Sequence, residues 1–250
     1  MSEAPGSVVA AQPAAADYVA WKEWRAEPFG TFSRRDGCYF DWHVARAMGE
    51  PARQLHVLDI GFGNGGFLGW TRQRGHRVIG VELSEPLVTR ARDAGFEALV
   101  ATDRLEIGAQ FDLIAAFDVL EHVPMPDVVP FLEGLGQRLA PGGRILLRFP
   151  NTESPFGHWH QNGDVTHVTS LGPSRTRQIA PRSGLRLLHS GDRLPWHREP
   201  GASRVPAGAY HLMRIVFERL LCKMYRLDRS LDLSPILLVV LAHAAPAAPP

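Results

Sequence analysis

From Leu55 onward the chain alternates short aliphatic runs with stretches in which apolar residues recur every three or four positions. This alternation predicts βαβ units and so a mostly parallel sheet with helices on both faces. Leu55 to Ile60 (LHVLDI) reads as a first strand, and FLGWTRQRG, beyond a glycine loop, as a helix ending at Gly75. Arg77 to Glu82 (RVIGVE) is a second strand. Ser84 suits an N-cap, and the helix it opens, Glu85 to Ala94, stops at Gly95. A short strand near Glu97 to Val100 and a fourth over Phe111 to Asp118 (FDLIAAFD) follow. The next helix, Val128 to Leu139, runs into Pro141, Gly142 and Gly143, which cannot continue it, and Arg144 to Pro150 (RILLRFP) is a fifth strand.

After Pro150 the alternation breaks. Residues 151–170 are rich in His, Asn, Gly and Pro, a connection long enough inside a compact domain to signal function. A helix near Pro173 to Ser183, a strand near Leu185 to Ser190, a late insertion over 192–232 and an apolar strand, Ile236 to His243, would close the sheet. Within the insertion Tyr210 to Met224 has helical spacing, which suits a covered core helix or a partner face equally. The apolar run Pro235 to Ala245 is about half the roughly 20 residues a spanning helix needs, so no transmembrane segment is expected. Upstream, helices over Tyr18 to Arg25 and Phe40 to Met48 make a small N-terminal cap, 17–53, on the main domain, 54–245. Residues 1–16, rich in Ala and Pro without the pattern of a secretory signal, read as a disordered tail.

With 250 residues, 45% of them hydrophobic, the chain supports one substantial core. Its 27 basic and 26 acidic residues leave a net charge of +1, too little for a global field toward nucleic acid or an anionic membrane, so no nucleic-acid partner is expected. Cys38 and Cys222, far apart and without CxxC spacing, make neither a zinc site nor a disulfide framework, and a reducing cytoplasm is the expected location. The oligomeric state stays open.

Chemistry concentrates first where strand one turns into a helix: Asp59-Ile60-Gly61-Phe62-Gly63-Asn64-Gly65-Gly66. Close backbone approach to a ligand there needs residues without a Cβ. Glycines 61, 63 and 66 also satisfy the dinucleotide spacing, and Glu82, 21 residues beyond Gly61, suits the ribose hydroxyls of NAD or of another nucleoside. The surroundings separate these readings. A pyrophosphate favours neutral surroundings and a helix N-terminus, whereas the sulfonium and ammonium of S-adenosylmethionine favour carboxylates such as Asp59. The structural alternative for a glycine-rich turn after a strand is a tight βα connection.

In order and spacing, VLDIGFGNGGFL, VIGVELSEPLV, FDLIAAFDVLEHVP and LAPGGRILLRFPN resemble the successive motifs of class I, Rossmann-like, S-adenosylmethionine-dependent methyltransferases. The resemblance covers Gln54 to Asn151 and implies a doubly wound sheet. It also implies roles: Asp59, Gly61, Gly63 and Gly65 face the methionine portion of S-adenosylmethionine, Glu82 the ribose, Leu83 and Asp103 the adenine, and Asp118 with Val119 the inner wall. A noncatalytic partner domain on the same fold is the alternative from another class.

The loop NTESPFGHWHQNGDVTHVTS, past the fifth strand, should face that cofactor, since open α/β sheets bind ligands at the carboxyl ends of their strands. It carries His158, His160 and His167 with Asp164, Phe156 and Trp159. Methyl transfer needs an aligned nucleophile that often gives up a proton, a task for imidazole oriented by a carboxylate. His167 and Asp164 are therefore the candidate catalytic residues, or else groups that pin the loop to its own backbone. The three histidines and Asp164, within ten positions, could supply nitrogen and oxygen ligands to a divalent ion, but their spacing is not diagnostic and no metal is assigned. PN, SPFG and GDVTH further resemble bacterial methyltransferases associated with glycan assembly. This resemblance implies O-methylation of a sugar or glycan hydroxyl, with Trp159 and His160 binding the substrate. The alternative acceptor is a small aromatic or quinone-like hydroxyl under an apolar lid of Trp21, Trp24, Phe29 and Phe32.

Overall fold

The computed structural model describes residues 28–49, 53–102, 105–106, 108–191, 207–226 and 232–244. The expected tail, the helix at Tyr18 to Arg25, Trp21, Trp24 and Asp103 lie outside these residues.

Seven strands form one sheet in the order β3-β2-β1-β4-β5-β7-β6. They are β1 (His56–Ile60), β2 (Arg77–Val81), β3 (Glu97–Leu99), β4 (Phe111–Phe117), β5 (Leu139–Pro150), β6 (Leu185–Ser190) and β7 (Ile236–His243). Pairings among β1 to β5 are parallel, and β7 runs antiparallel between β5 and β6. The order reverses between β1 and β4, which opens a crevice at their carboxyl ends.

Alternation along the central strands sends side chains to two buried faces. Leu58, Ile114, Ile145 and Leu147 face α4 (Met125–Gly136) and α6 (Pro173–Arg182), through Val128, Leu132, Ile179 and Ala180. Val57, Leu113, Leu146 and Val240 face α1 (Arg34–Met48) and α2 (Gly66–Gln73), through Phe40, Val44, Phe67 and Trp70. Each fully buried aliphatic or aromatic side chain contributes about 1.5–3 kcal/mol. Helix α3 (Glu85–Asp93) covers β3 with Leu87, Val88 and Ala91. The short helix α5 (His158–Asn162) lies in the loop after β5, and α7 (Ala207–Met224) in the late insertion.

Three boundaries differ from the sequence reading. Helix α1 starts at Arg34 rather than Phe40, because Ser33 and Asp36 form a capping box: the Asp36 N–H donates to Ser33 Oγ at 3.1 Å and the Ser33 N–H to Asp36 Oδ2 at 3.1 Å. Helix α4 ends at Gly136, and β5 begins at Leu139, before the Pro-Gly-Gly turn. Ser84 occupies the N-cap position of α3 but makes no side-chain capping bond.

Candidate functional site

Asp59 is the penultimate residue of β1, in register with the small residues Gly80 of β2 and Ala115 of β4. It is 2% exposed, and its Oδ2 has no hydrogen-bond partner. Glu82, just past β2, accepts from the Gly63 N–H at 3.2 Å, the Leu83 N–H at 2.8 Å and the Ser84 N–H at 3.2 Å. Burial raises the Asp59 pKa well above the carboxylate range, and the neighbouring Glu82 raises it further. Burial also raises Glu82, against the lowering by its three N–H donors. Two adjacent carboxylates, neither ion-paired among the described residues, form a site that a cation would satisfy.

The loop between them is shaped by close approach. Gly61 has φ +70°, and a Cβ there would meet Val119 Cγ2 at 2.6 Å; Gly65 has φ +78°, and a Cβ would meet Phe29 at 2.4 Å. Phe29, one of the expected lid residues, therefore packs on the loop, with its ring edge-on to Phe62 and Phe96. Phe32 packs against the α1 and α2 cluster instead. Leu83 is partly exposed beside Glu82, as the adenine edge would require.

Asp118 follows β4 with φ +56° and is held by Arg148 of β5, whose Nε donates to Oδ1 at 3.0 Å and whose Nη2 donates to Oδ2. Arg148 lies over the rings of Tyr39 and Phe117 at 5.6 and 5.3 Å. Burial alone would lower the guanidinium's pKa, but Asp118 and Tyr39 raise it above its ordinary value. The sequence reading missed this pair, although an arginine inside the aliphatic run RILLRFP was its visible signal.

The loop after β5 is stitched down at both ends. Asn151, fully buried, donates from Nδ2 to the Asp232 and Ser234 carbonyls at 2.8 and 3.0 Å, and Ser154 Oγ donates to the Leu233 carbonyl at 2.8 Å. Further along, the Val168 and Thr169 N–H groups donate to the Glu121 carbonyl at 2.8 and 3.0 Å. This brings Asp164 and His167 against Glu121 and His122, which lie on the single 3₁₀ turn after β4, Leu120–His122.

Hydrogen bonds fix the tautomers of both histidines when neutral. His167 Nδ1 faces the Gln161 carbonyl at 3.0 Å and so carries the proton, leaving the Nε2 lone pair 3.8 Å from Asp164 Oδ2 and 4.0 Å from Glu121 Oε1. Thr166 Oγ1 donates to Asp164 Oδ1 at 2.6 Å and accepts from His122 Nδ1 at 2.9 Å. Ligand atoms of Glu121, His122 and His167 lie within 4.8 Å of one another, a set a divalent cation could use. The candidate ligand set in the sequence, His158, His160, Asp164 and His167, lay within the loop alone. Instead His158 and His160 are exposed on α5, and Trp159 is 84% exposed.

Fold and site together define a Rossmann-like protein with a buried carboxylate, Asp59, beside the crevice between β1 and β4. The comparisons give the class its name. Residues 33–190 match the methyltransferase domain family. A ubiquinone biosynthesis O-methyltransferase of Pseudomonas aeruginosa (strain UCBPP-PA14) is 30% identical over 154 residues, which cover 58% of this chain and 63% of that relative's length. The tRNA 5-carboxymethoxyuridine methyltransferase of Escherichia coli (strain K12) is 31% identical over 53% of this chain and 55% of its own length. In fold, an S-adenosylmethionine-dependent methyltransferase from Archaeoglobus fulgidus superposes with a TM-score of 0.60 at 18% identity, covering 90% of this chain and 98% of that one. A chain from the complex between the Haloferax volcanii Trm112 methyltransferase activator and the putative methyltransferase superposes at 0.59 and 18% identity, covering 94% of this chain and 100% of that one. The chain belongs to the methyltransferase domain family.

Proposed function

We propose that the protein is an O-methyltransferase acting on a phenolic, quinone-type hydroxyl, with His167 as the base. The observation that carries this reading is the His167 Nε2 lone pair, oriented by the Gln161 carbonyl and flanked by two carboxylates. S-adenosylmethionine supplies an electrophilic methyl on a sulfonium sulfur. Asp59 neutralises the cationic end of the cofactor, Glu82 takes the ribose hydroxyls, and the glycine loop admits its backbone. With that cofactor held by Asp59, Glu82 and the glycine loop, His167 Nε2 would take the proton of the acceptor hydroxyl and so ready its oxygen for the methyl group. Asp164 and Glu121 stabilise the imidazolium that results.

An imidazole base is matched better to a phenol, with a pKa near 10, than to an alkyl hydroxyl, a far weaker acid close to water itself. The names of the ubiquinone relatives point the same way. The glycosyl hydroxyl suggested by the loop motifs has less support: Trp159, the expected stacking platform, stands out in solvent, away from the buried Asp164 and His167 side chains.

His167→Ala is expected to lower kcat toward a catechol by about 10²–10⁴-fold and to leave S-adenosylhomocysteine affinity unchanged, with Asp164→Asn intermediate. Product analysis by mass spectrometry against a catechol and a methyl glycoside assigns the acceptor. Methylation of the glycoside alone would restore the sugar reading, and undiminished turnover of His167→Ala would remove the base from the mechanism.

A further inference from the structure

Helix α7 turns a broad apolar face outward. Leu212, Met213, Val216, Phe217, Leu220 and Met224 are each more than half exposed, from 51% for Phe217 to 64% for Met224. At 100° per residue they span an arc of about 140°. The side turned inward carries the buried Glu218 and Cys222, the half-buried Ile215 and Leu221, and Arg214, which donates from Nε to Glu218 Oε1 at 2.8 Å and from Nη2 to Ser234 Oγ at 3.1 Å. Core packing therefore does not account for the apolar arc. The covered core helix open to the sequence reading is replaced by a helix that leaves six large apolar side chains exposed.

Charge at the arc's edge is of one sign. Arg219 and Lys223 are exposed along one flank, Arg226 follows the helix, and Glu218, the acidic residue of the described stretch 207–226, is engaged by Arg214 on the inward side. The overall charge of +1 averages this local excess away. An apolar face bordered by arginine and lysine suits the interface of an anionic bilayer, where the face enters the acyl boundary and the long basic side chains reach the headgroups. Among the described residues no helix is long and apolar enough to cross a membrane.

Connectivity places this face beside the site. Strand β6 is parallel to β5, so its end at Ser190 and the start of β7 at Ile236 lie at the same edge as the cofactor crevice. Arg214 ties α7 to Ser234, whose carbonyl is held by Asn151 at the root of the His167 loop.

We propose that α7 docks the protein on an anionic lipid surface, presenting the crevice to an acceptor that carries a lipid tail. The docking stands on α7 alone; the tailed acceptor rests also on the methyltransferase reading. The test is sedimentation of the full chain with vesicles of phosphatidylcholine plus phosphatidylglycerol and of phosphatidylcholine alone. Sedimentation velocity and S-adenosylhomocysteine calorimetry run in parallel. Binding is expected on the mixed vesicles, abolished in V216E/L220E and weakened roughly 30-fold in R219Q/K223Q, at about one charge-equivalent contact per basic residue, with nucleoside affinity intact throughout. Equal binding by V216E/L220E, or no binding by the parent chain, overturns the proposal. A concentration-dependent dimer lost in V216E/L220E without vesicle binding would assign the face to a second copy of the chain. Loss of nucleoside affinity in the parent chain would instead count against the methyltransferase reading, and leave vesicle binding to be judged by its own result.

Discussion

Asp59 has two roles that pull in opposite directions. Its folded pKa lies above its ordinary value of 3.8, because of burial first and Glu82 second, so in the cofactor-free protein ionisation is unfavourable. For a carboxyl raised in this way the folded state keeps a proton that the unfolded chain has lost. Its contribution to stability is therefore lost as pH rises from 3.8 through the raised value. A cationic cofactor favours the ionised form, so binding should release a proton in that window and tighten as pH rises through it. Asp59→Asn should accordingly raise the melting temperature of the cofactor-free protein while weakening S-adenosylmethionine binding about 10- to 100-fold. Calorimetry in buffers of different ionisation enthalpy counts the proton; an affinity flat across the window would contradict this account. Asp59 was legible in the sequence because a carboxylate inside LHVLDI breaks an otherwise aliphatic strand just before a glycine loop. Glu121 and His122 were visible only as residues following a strand, since their partners Asp164 and His167 arrive from a loop some forty residues further along.

Elements are held in place by contacts that local pattern does not reveal. Gly69 of α2 sits so close to the Phe29–Gly30 segment that a Cβ would lie 1.8 Å from the Gly30 carbonyl oxygen, a backbone atom that cannot swing aside. Gly30 in turn donates its N–H to the Asn64 carbonyl at 2.9 Å, so this helix contact also sets the glycine loop. Gly69→Ala should cost about 1–3 kcal/mol in thermal or urea unfolding and weaken nucleoside binding with it. A variant as stable as the parent would show that the segment is free to shift. The strands were legible because both faces of the parallel sheet are buried and leave continuous aliphatic runs. The start of α1 was not, since Ser33 and Asp36 read as ordinary polar residues until their capping box is seen. The outward turn of α7 was equally hidden, because helical spacing marks an apolar face without saying which way it points.

For the whole molecule, strand order decides where chemistry happens. The reversal between β1 and β4 opens the crevice, Asp59 lies one residue before the end of β1 and Asp118 just past the end of β4, and β5 carries Arg148 and leads into the loop of His167. The late insertion returns at the same edge and adds α7. The most direct test of the central claim is calorimetric titration of the protein with S-adenosylhomocysteine and with NAD, beside a variant carrying Asp59→Ala and Gly63→Val. Binding of S-adenosylhomocysteine alone, lost in the variant, is the predicted result; binding of NAD, or of neither, would contradict it.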